Sequence, residues 1–239
     1  MMMSARKAFR LATGAAFAIF AIAFGATTDR AKAASVTEQF SGRPDLAVFM
    51  LQGPIQGGET LVLEGLVSKL PPNKSAAIIL HSTGGNLLEG LKLGRFFYRA
   101  RIATFVLGYG GGCHSACAIA FLGGRDSDRK PSRTKMTGGN LGFHQFNRAR
   151  SAEESSKKYT KADMENELFR TRAVALSIIE YLSDIGEDMS FLHLMLKAPA
   201  SQITLLSNED AVTYGIHVMD ERTETVIDSA GIRARIEAR

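Results

Sequence analysis

Three short runs of almost uninterrupted apolar residues punctuate the first half of the chain, at residues 46–51, 76–81 and 102–107. Each ends at turn-forming residues: Gly53-Pro54, Ser82-Thr83-Gly84-Gly85 and Gly108. Runs of this length bounded by glycine and proline predict strands buried on both faces. Between them the period changes. Leu61, Val62, Leu66, Val67 and Leu70 fall at helical spacing before Pro71-Pro72, and residues 87–101 read as a second helix. Alternation of strand and helix predicts an α/β fold with a mostly parallel sheet and βαβ units.

The second half is less regular. Residues 125–140 are polar and glycine-containing, which predicts loop or short strands, and residues 141–146 return to strand. A long helical pattern covers 151–187. It begins charged (Glu153, Glu154, Lys157, Lys158, Lys161) and becomes apolar at Leu168, Val174, Leu176, Ile178, Ile179 and Leu182. The charged part reads as a solvated face. A short helix at 191–197 precedes Pro199. Ser207 followed by Glu209 and Asp210 reads as a helix N-cap with early acids, with the helix ending at Gly215 and a last strand at 216–219.

The chain has 239 residues, of which 45% are hydrophobic and 22% charged, as expected for one globular domain with a sizeable core. Its net charge of +5 first suggests an anionic partner. The N-terminus removes that suggestion. Arg6, Lys7 and Arg10 precede an apolar run over residues 11–26, which is followed by the small-residue site Ala31-Lys32-Ala33. That order is the pattern of a secretory signal. The run of about 16 residues is shorter than the roughly 20 that span a bilayer, so cleavage is expected over an inner-membrane anchor facing the periplasm. Residues 1–33 carry a net of +4, which leaves about +1 on the rest, and no nucleic-acid partner is expected. The expected organisation is a signal peptide at 1–33, a linker at 34–44, one α/β domain at 45–222 and a tail at 223–239, in a periplasmic or secreted protein.

Candidate chemistry concentrates in Gly110-Gly111-Gly112-Cys113-His114-Ser115-Ala116-Cys117. A serine after a glycine run, opening an apolar helix, is how a nucleophile is placed on a tight turn. Twenty-nine residues later stands His144, in Leu141-Gly142-Phe143-His144-Gln145, a candidate base. The turn at Ser82-Thr83-Gly84-Gly85 closes another strand, and such strand ends are where sites form in open α/β sheets. Gly84 or Gly85 would offer one N–H and Ala116 a second to an oxyanion. The bland alternatives are a helix N-cap for Ser115 and a backbone-bonded strand histidine for His144. The two cysteines, Cys113 and Cys117, flank Ser115. An oxidising compartment permits a disulfide, but i and i+4 positions of a regular helix sit somewhat too far apart for one. Disulfide and buried small hydrophobes both remain open. No metal-ligand cluster and no phosphate-binding G-x-x-x-x-G-K-[ST] loop is present, so neither a metal, a cofactor nor an intrinsic ATPase is expected.

At these residues the chain resembles the proteolytic subunit of Clp protease and its relatives of the ClpP/crotonase fold, over roughly residues 45–220. The resemblance lies in Ile79-Leu80-His81-Ser82-Thr83-Gly84-Gly85, in Gly112-Cys113-His114-Ser115-Ala116-Cys117, in Gly142-Phe143-His144-Gln145 and in the segment from Leu205-Leu206-Ser207 to Tyr214-Gly215-Ile216. It looks more similar to secreted bacterial proteins of this type than to the cytosolic subunit. It implies a serine hydrolase, an ATP-independent peptidase acting on peptides or unfolded protein. Ser115 would be the nucleophile, His144 the base, and Gly84, Gly85 and Ala116 the oxyanion hole. It also implies a homo-oligomer built through the long helix. The chain departs from the pattern in one place. The family's third triad member is an aspartate a few residues before the late Leu-Ser, where this chain has Ser201-Gln202-Ile203. Gln202, Ser201 or a backbone carbonyl would then orient His144, with Asp184, Glu187 and Asp188 the nearest upstream acids. That gap supports the alternative of a non-catalytic interaction module on the same fold. A crotonase-like acyl-CoA enzyme is a third reading, disfavoured by the export signal.

Overall fold

The computed structural model describes residues 33–108, 111–145, 160–197, 202–227 and 231. The expected signal segment, the stretch 146–159 and Ser201 lie outside the described residues. Among the described residues, no helix is long and apolar enough to cross a membrane.

The apolar runs form the centre of a seven-stranded, mostly parallel sheet. Strand β2 (Leu46–Gln52) pairs in parallel with β3 (Ser75–His81), and β3 with β4 (Ile102–Val106). Ala47, Phe49 and Leu51 of β2 and Ile78 and Leu80 of β3 are buried. Helix α1 (Glu59–Val67) connects the first pair and α2 (Leu87–Ala100) the second. Asn86 caps α2 by accepting the Glu89 N–H through its side chain. The sheet continues through β6 (Arg133–Met136) to β9 (His217–Met219), both parallel to β4. Antiparallel edge strands β1 (Ser35–Gln39) and β10 (Val226–Ile227) close the order β1-β2-β3-β4-β6-β9-β10.

Two of the expected boundaries change here. The expected linker contains β1, and the expected tail contains β10. β1 is drawn in by its pairing partner rather than by apolar content, whereas β10 also buries Ile227.

A second, smaller sheet sits on the carboxyl end of β3. Strand β5 (Gly112–His114) is parallel to β7 (Asn140–Phe143), which is antiparallel to β8 (Thr204–Leu205). Ser82, just past β3, bridges to Cys113: its N–H donates to Gly112 (2.8 Å) and its carbonyl accepts from His114 (3.0 Å). Helix α3 (Ala116–Phe121) leaves β5 after one residue, Ser115, and every one of its residues is buried.

Side-chain donors reach the carbonyls at the end of α3. Tyr181 Oη donates to Ile119 (2.7 Å), Thr104 Oγ1 to Phe121 (2.9 Å) and Arg125 Nη1 to Leu122 (3.1 Å). Carbonyls at a helix end lack the full set of partners inside the helix, and here tertiary donors supplement the local ones. Arg125 and Arg133 also share the carboxylate of Glu187, at 2.7 and 2.8 Å, and all three side chains are buried.

Tyr181 lies on the long helix α4 (Lys161–Asp184), which opens with a capping box between Thr160 and Asp163. Only Ile178, Tyr181 and Leu182 of α4 are buried, while Met164, Leu168, Phe169 and Leu176 are exposed. Helices α5 (Ser190–Lys197) and α6 (Asn208–Thr213) complete the described helices of three residues or more; Ser207 caps α6 as expected.

Candidate active site

Ser115 joins β5 to α3 with φ 56° and ψ −122°. That conformation lies outside the regions open to ordinary L-residues and persists only when the surroundings enforce it. Three restraints do so. The Ser115 N–H donates to Gly142 on β7 (2.9 Å). Gly84, itself at φ 92°, lies against it: a Cβ built on Gly84 would sit 2.7 Å from Ser115 Cβ and 2.6 Å from the His114 carbonyl oxygen. Finally, Cys113 and Cys117 form a disulfide across the turn, with Cα atoms 5.1 Å apart. The helical spacing argument does not apply to this pair, because Cys113 is on a strand and only Cys117 is on the helix.

Ser115 stands at the N-cap position of α3, yet its side chain makes no capping bond. Its half-buried hydroxyl bonds to no other described residue. The bland N-cap role is therefore not the one it plays here.

The glycine turn separates its two candidate donors. The Gly84 N–H is occupied by Ser82 Oγ at 3.1 Å. Ile55 takes the Gly84 carbonyl and the Asn86 N–H on either side of Gly85. That leaves the Gly85 N–H unbonded among the described residues, as is the N–H of Ala116. The Ala116 nitrogen would be 3.1 Å from a Cβ on Gly84, so the two turns meet at Ser115.

His144 follows β7, the strand paired with β5. β5 and β7 pair with His114 opposite Gly142, so Ser115 is level with Phe143 and His144 is one residue beyond. The half-buried His144 ring donates from Nδ1 to the carbonyl of Gln145 (2.7 Å), which leaves Nε2 as the basic nitrogen. Nε2 makes no bond to another described residue, Ser115 included.

A backbone carbonyl, one of the expected alternatives, is thus the group on His144. Gln202 is exposed and bonds to no described residue. The upstream acids are engaged elsewhere: Asp184 with Arg95 (2.7 Å), Glu187 with the buried arginines, and Asp188 with the Ser190 N–H (2.6 Å).

His114 shares this small sheet. Its ring lies over Gly112 and Gly142, where a Cβ would come within 2.5 and 2.9 Å of it. Its Nε2 is buried with no hydrogen-bond partner. Burial, and secondarily the nearby His144, hold its pKa below the ordinary value.

Several charged residues of the polar stretch 125–140 are interior. Arg125, Arg133 and Lys135 are each no more than 3% exposed. Lys135 donates to Asn208 Oδ1, and burial, only partly offset by Glu221, lowers its pKa to about 8. Burial also pushes the Tyr181 hydroxyl far above its usual range, which keeps it a donor. No local signal in residues 125–140 distinguishes these from surface charges, since Glu187 and Asn208 arrive from distant segments. Among the described residues, no group of three His, Cys, Asp or Glu is placed to hold a metal ion. No family model matches the chain, and no curated protein sequence matches it.

Proposed function

We propose that this chain is an exported serine hydrolase, an ATP-independent peptidase on a fold of the ClpP/crotonase type, with peptides or unfolded protein as substrate. One observation carries the reading. Ser115 is held in a conformation unfavourable to an L-residue, with its hydroxyl uncapped and the N–H groups of Ala116 and Gly85 without a partner among the described residues. Strain of this kind at an unpaired serine has no evident structural purpose, and such outliers cluster at functional sites.

In the proposed reaction Ser115 Oγ attacks the scissile carbonyl while His144 Nε2 takes its proton. The Ala116 and Gly85 N–H groups bind the oxyanion. His144 then gives the proton to the leaving amine, and water repeats the sequence on the acyl-enzyme. Substrate binding has to close the Ser115–His144 contact, which is not made at rest. The carbonyl of Gln145 orients the ring but stabilises an imidazolium less than a carboxylate would. In a well-studied triad, loss of the carboxylate lowers turnover by about 10⁴, so slow turnover is expected.

The open contact also favours a second reading, a non-catalytic binding module on the same scaffold. Export is supported by the N-terminal pattern and by a disulfide, which persists in oxidising compartments. The exposed apolar residues of α4 support assembly with further copies, to be tested by sedimentation of a Leu168→Glu, Phe169→Glu variant. Fluorophosphonate labelling of the wild type and of Ser115→Ala separates the two functional readings: a serine-specific adduct supports the hydrolase, and no adduct supports the module.

A further inference from the structure

The disulfide spans the one residue on which the proposed chemistry depends. Cys113 is the middle residue of β5 and Cys117 lies in the first turn of α3, so the bonded loop contains only His114, Ser115 and Ala116. Both cysteines are fully buried.

Ser115 has a competing conformation. At negative φ in the extended region, a serine before a helix accepts the N–H of the second or third helical residue through its own hydroxyl. Those residues are Cys117 and Ala118, whose N–H groups have no partner among the described residues. A simple backbone rotation would therefore turn the exposed nucleophile into an ordinary capped helix start, with its hydroxyl committed to α3. Two of the three restraints against this rotation are non-covalent: the bond to Gly142 and the packing of Gly84. The third is covalent and fixes strand and helix relative to each other on both sides of Ser115.

We propose that the Cys113–Cys117 disulfide is a redox latch that keeps Ser115 out of the N-cap conformation, so that the hydroxyl is presented only in the oxidised chain. The inference rests on the hydrolase reading for its consequence, but not for its geometry. Opening the latch requires a dithiol reductant. One thiolate attacks a cysteine sulfur to form a mixed disulfide, and the second thiol displaces it. Two electrons and two protons pass to Cys113 and Cys117, and the reductant leaves as a cyclic disulfide. Closing runs the same two exchanges in reverse, with an external disulfide of an oxidising compartment accepting the two electrons and two protons; because both sulfurs are buried once bonded, later exchange has to await local opening of the turn. A chain still in a reducing compartment would be held inactive until export.

The test compares the oxidised full chain, the same chain held in dithiothreitol, and Cys113→Ala/Cys117→Ala. Two readouts are taken: the rate of fluorophosphonate adduct formation at Ser115, and amide hydrogen exchange of Ser115 and Ala118 by NMR. The latch predicts that reduction slows labelling by roughly 10- to 100-fold, the population shift expected when strain of this kind is released. It also predicts that the Ala118 amide gains protection while the Ser115 amide loses it. Unchanged exchange at both amides, or labelling within about twofold of the oxidised chain, overturns it. If the oxidised chain takes no label but the exchange pattern responds to reduction, the hydrolase reading fails and the latch stands. Should the double variant not fold, the dithiothreitol arm gives the same reading on the unaltered sequence.

Discussion

Gly84 lies so close to Ser115 that a methyl group on it would stand 2.7 Å from the serine Cβ. The two residues end different strands, and their contact is what joins the glycine turn to the serine turn. Gly84→Ala should therefore displace Ser115 as well as strain a backbone at φ 92°. We expect destabilisation of about 1–3 kcal/mol and loss of Ser115 labelling. Thermal unfolding and labelling measured on one preparation check this; a variant labelled like the wild type would show that the contact does not hold the site.

His144 and Gln202 should differ sharply. His144→Gln removes the base, and we expect hydrolysis to fall by about 10²–10⁴-fold. Gln202 is exposed and touches nothing polar among the described residues, while Gln145 holds the ring through its backbone carbonyl. Gln202→Ala should then keep turnover within about twofold, which steady-state kinetics would show. A loss comparable to that of His144→Gln would restore Gln202 as the orienting residue.

The buried Arg125–Glu187–Arg133 cluster anchors the far end of α3. Burial lowers the pKa of Arg133, and the Glu187 carboxylate opposes that shift. Glu187→Gln leaves two guanidinium groups uncompensated in the interior, so we expect a loss of about 3–5 kcal/mol in denaturant unfolding. A loss below 1 kcal/mol would mean that the cluster is solvated in solution.

Lys135 makes stability depend on pH in the alkaline range. Its folded pKa, lowered to about 8 by burial, lies below the unfolded value of about 10.4. Between these values the unfolded chain holds a proton that the folded chain has released, so stability rises with pH across that window. Below pH 8 both states are protonated and the penalty of the buried charge is fully present. Relative to Lys135→Met, the wild type should gain about 2–2.5 kcal/mol between pH 8 and 10.5. Parallel unfolding curves for the two proteins across that range would contradict a buried, depressed Lys135.

The parallel core was legible because β2, β3 and β4 are continuous apolar runs, the pattern that burial on both faces demands. The order of Ser115 and His144 was legible too, whereas the pairing of β5 with β7, the strands they follow, is encoded by no local pattern. Strand β1 escaped notice because Ser-Val-Thr-Glu-Gln has a single large apolar residue and gains its order from pairing. Arg125, Arg133 and Lys135 read as surface because a buried charge is recognisable only with its partner. Arg125 and its partner Glu187 stand 62 residues apart. The disulfide stayed undecided because helical spacing was the wrong ruler for a strand-to-helix turn.

The central claim is that Ser115 is a presented nucleophile. The most direct measurement is intact-mass and peptide mass spectrometry after fluorophosphonate treatment of the oxidised chain. One adduct per chain is expected, located on Ser115, absent from Ser115→Ala and strongly slowed in His144→Gln. No adduct on the wild type, or an adduct that persists in Ser115→Ala, would contradict it.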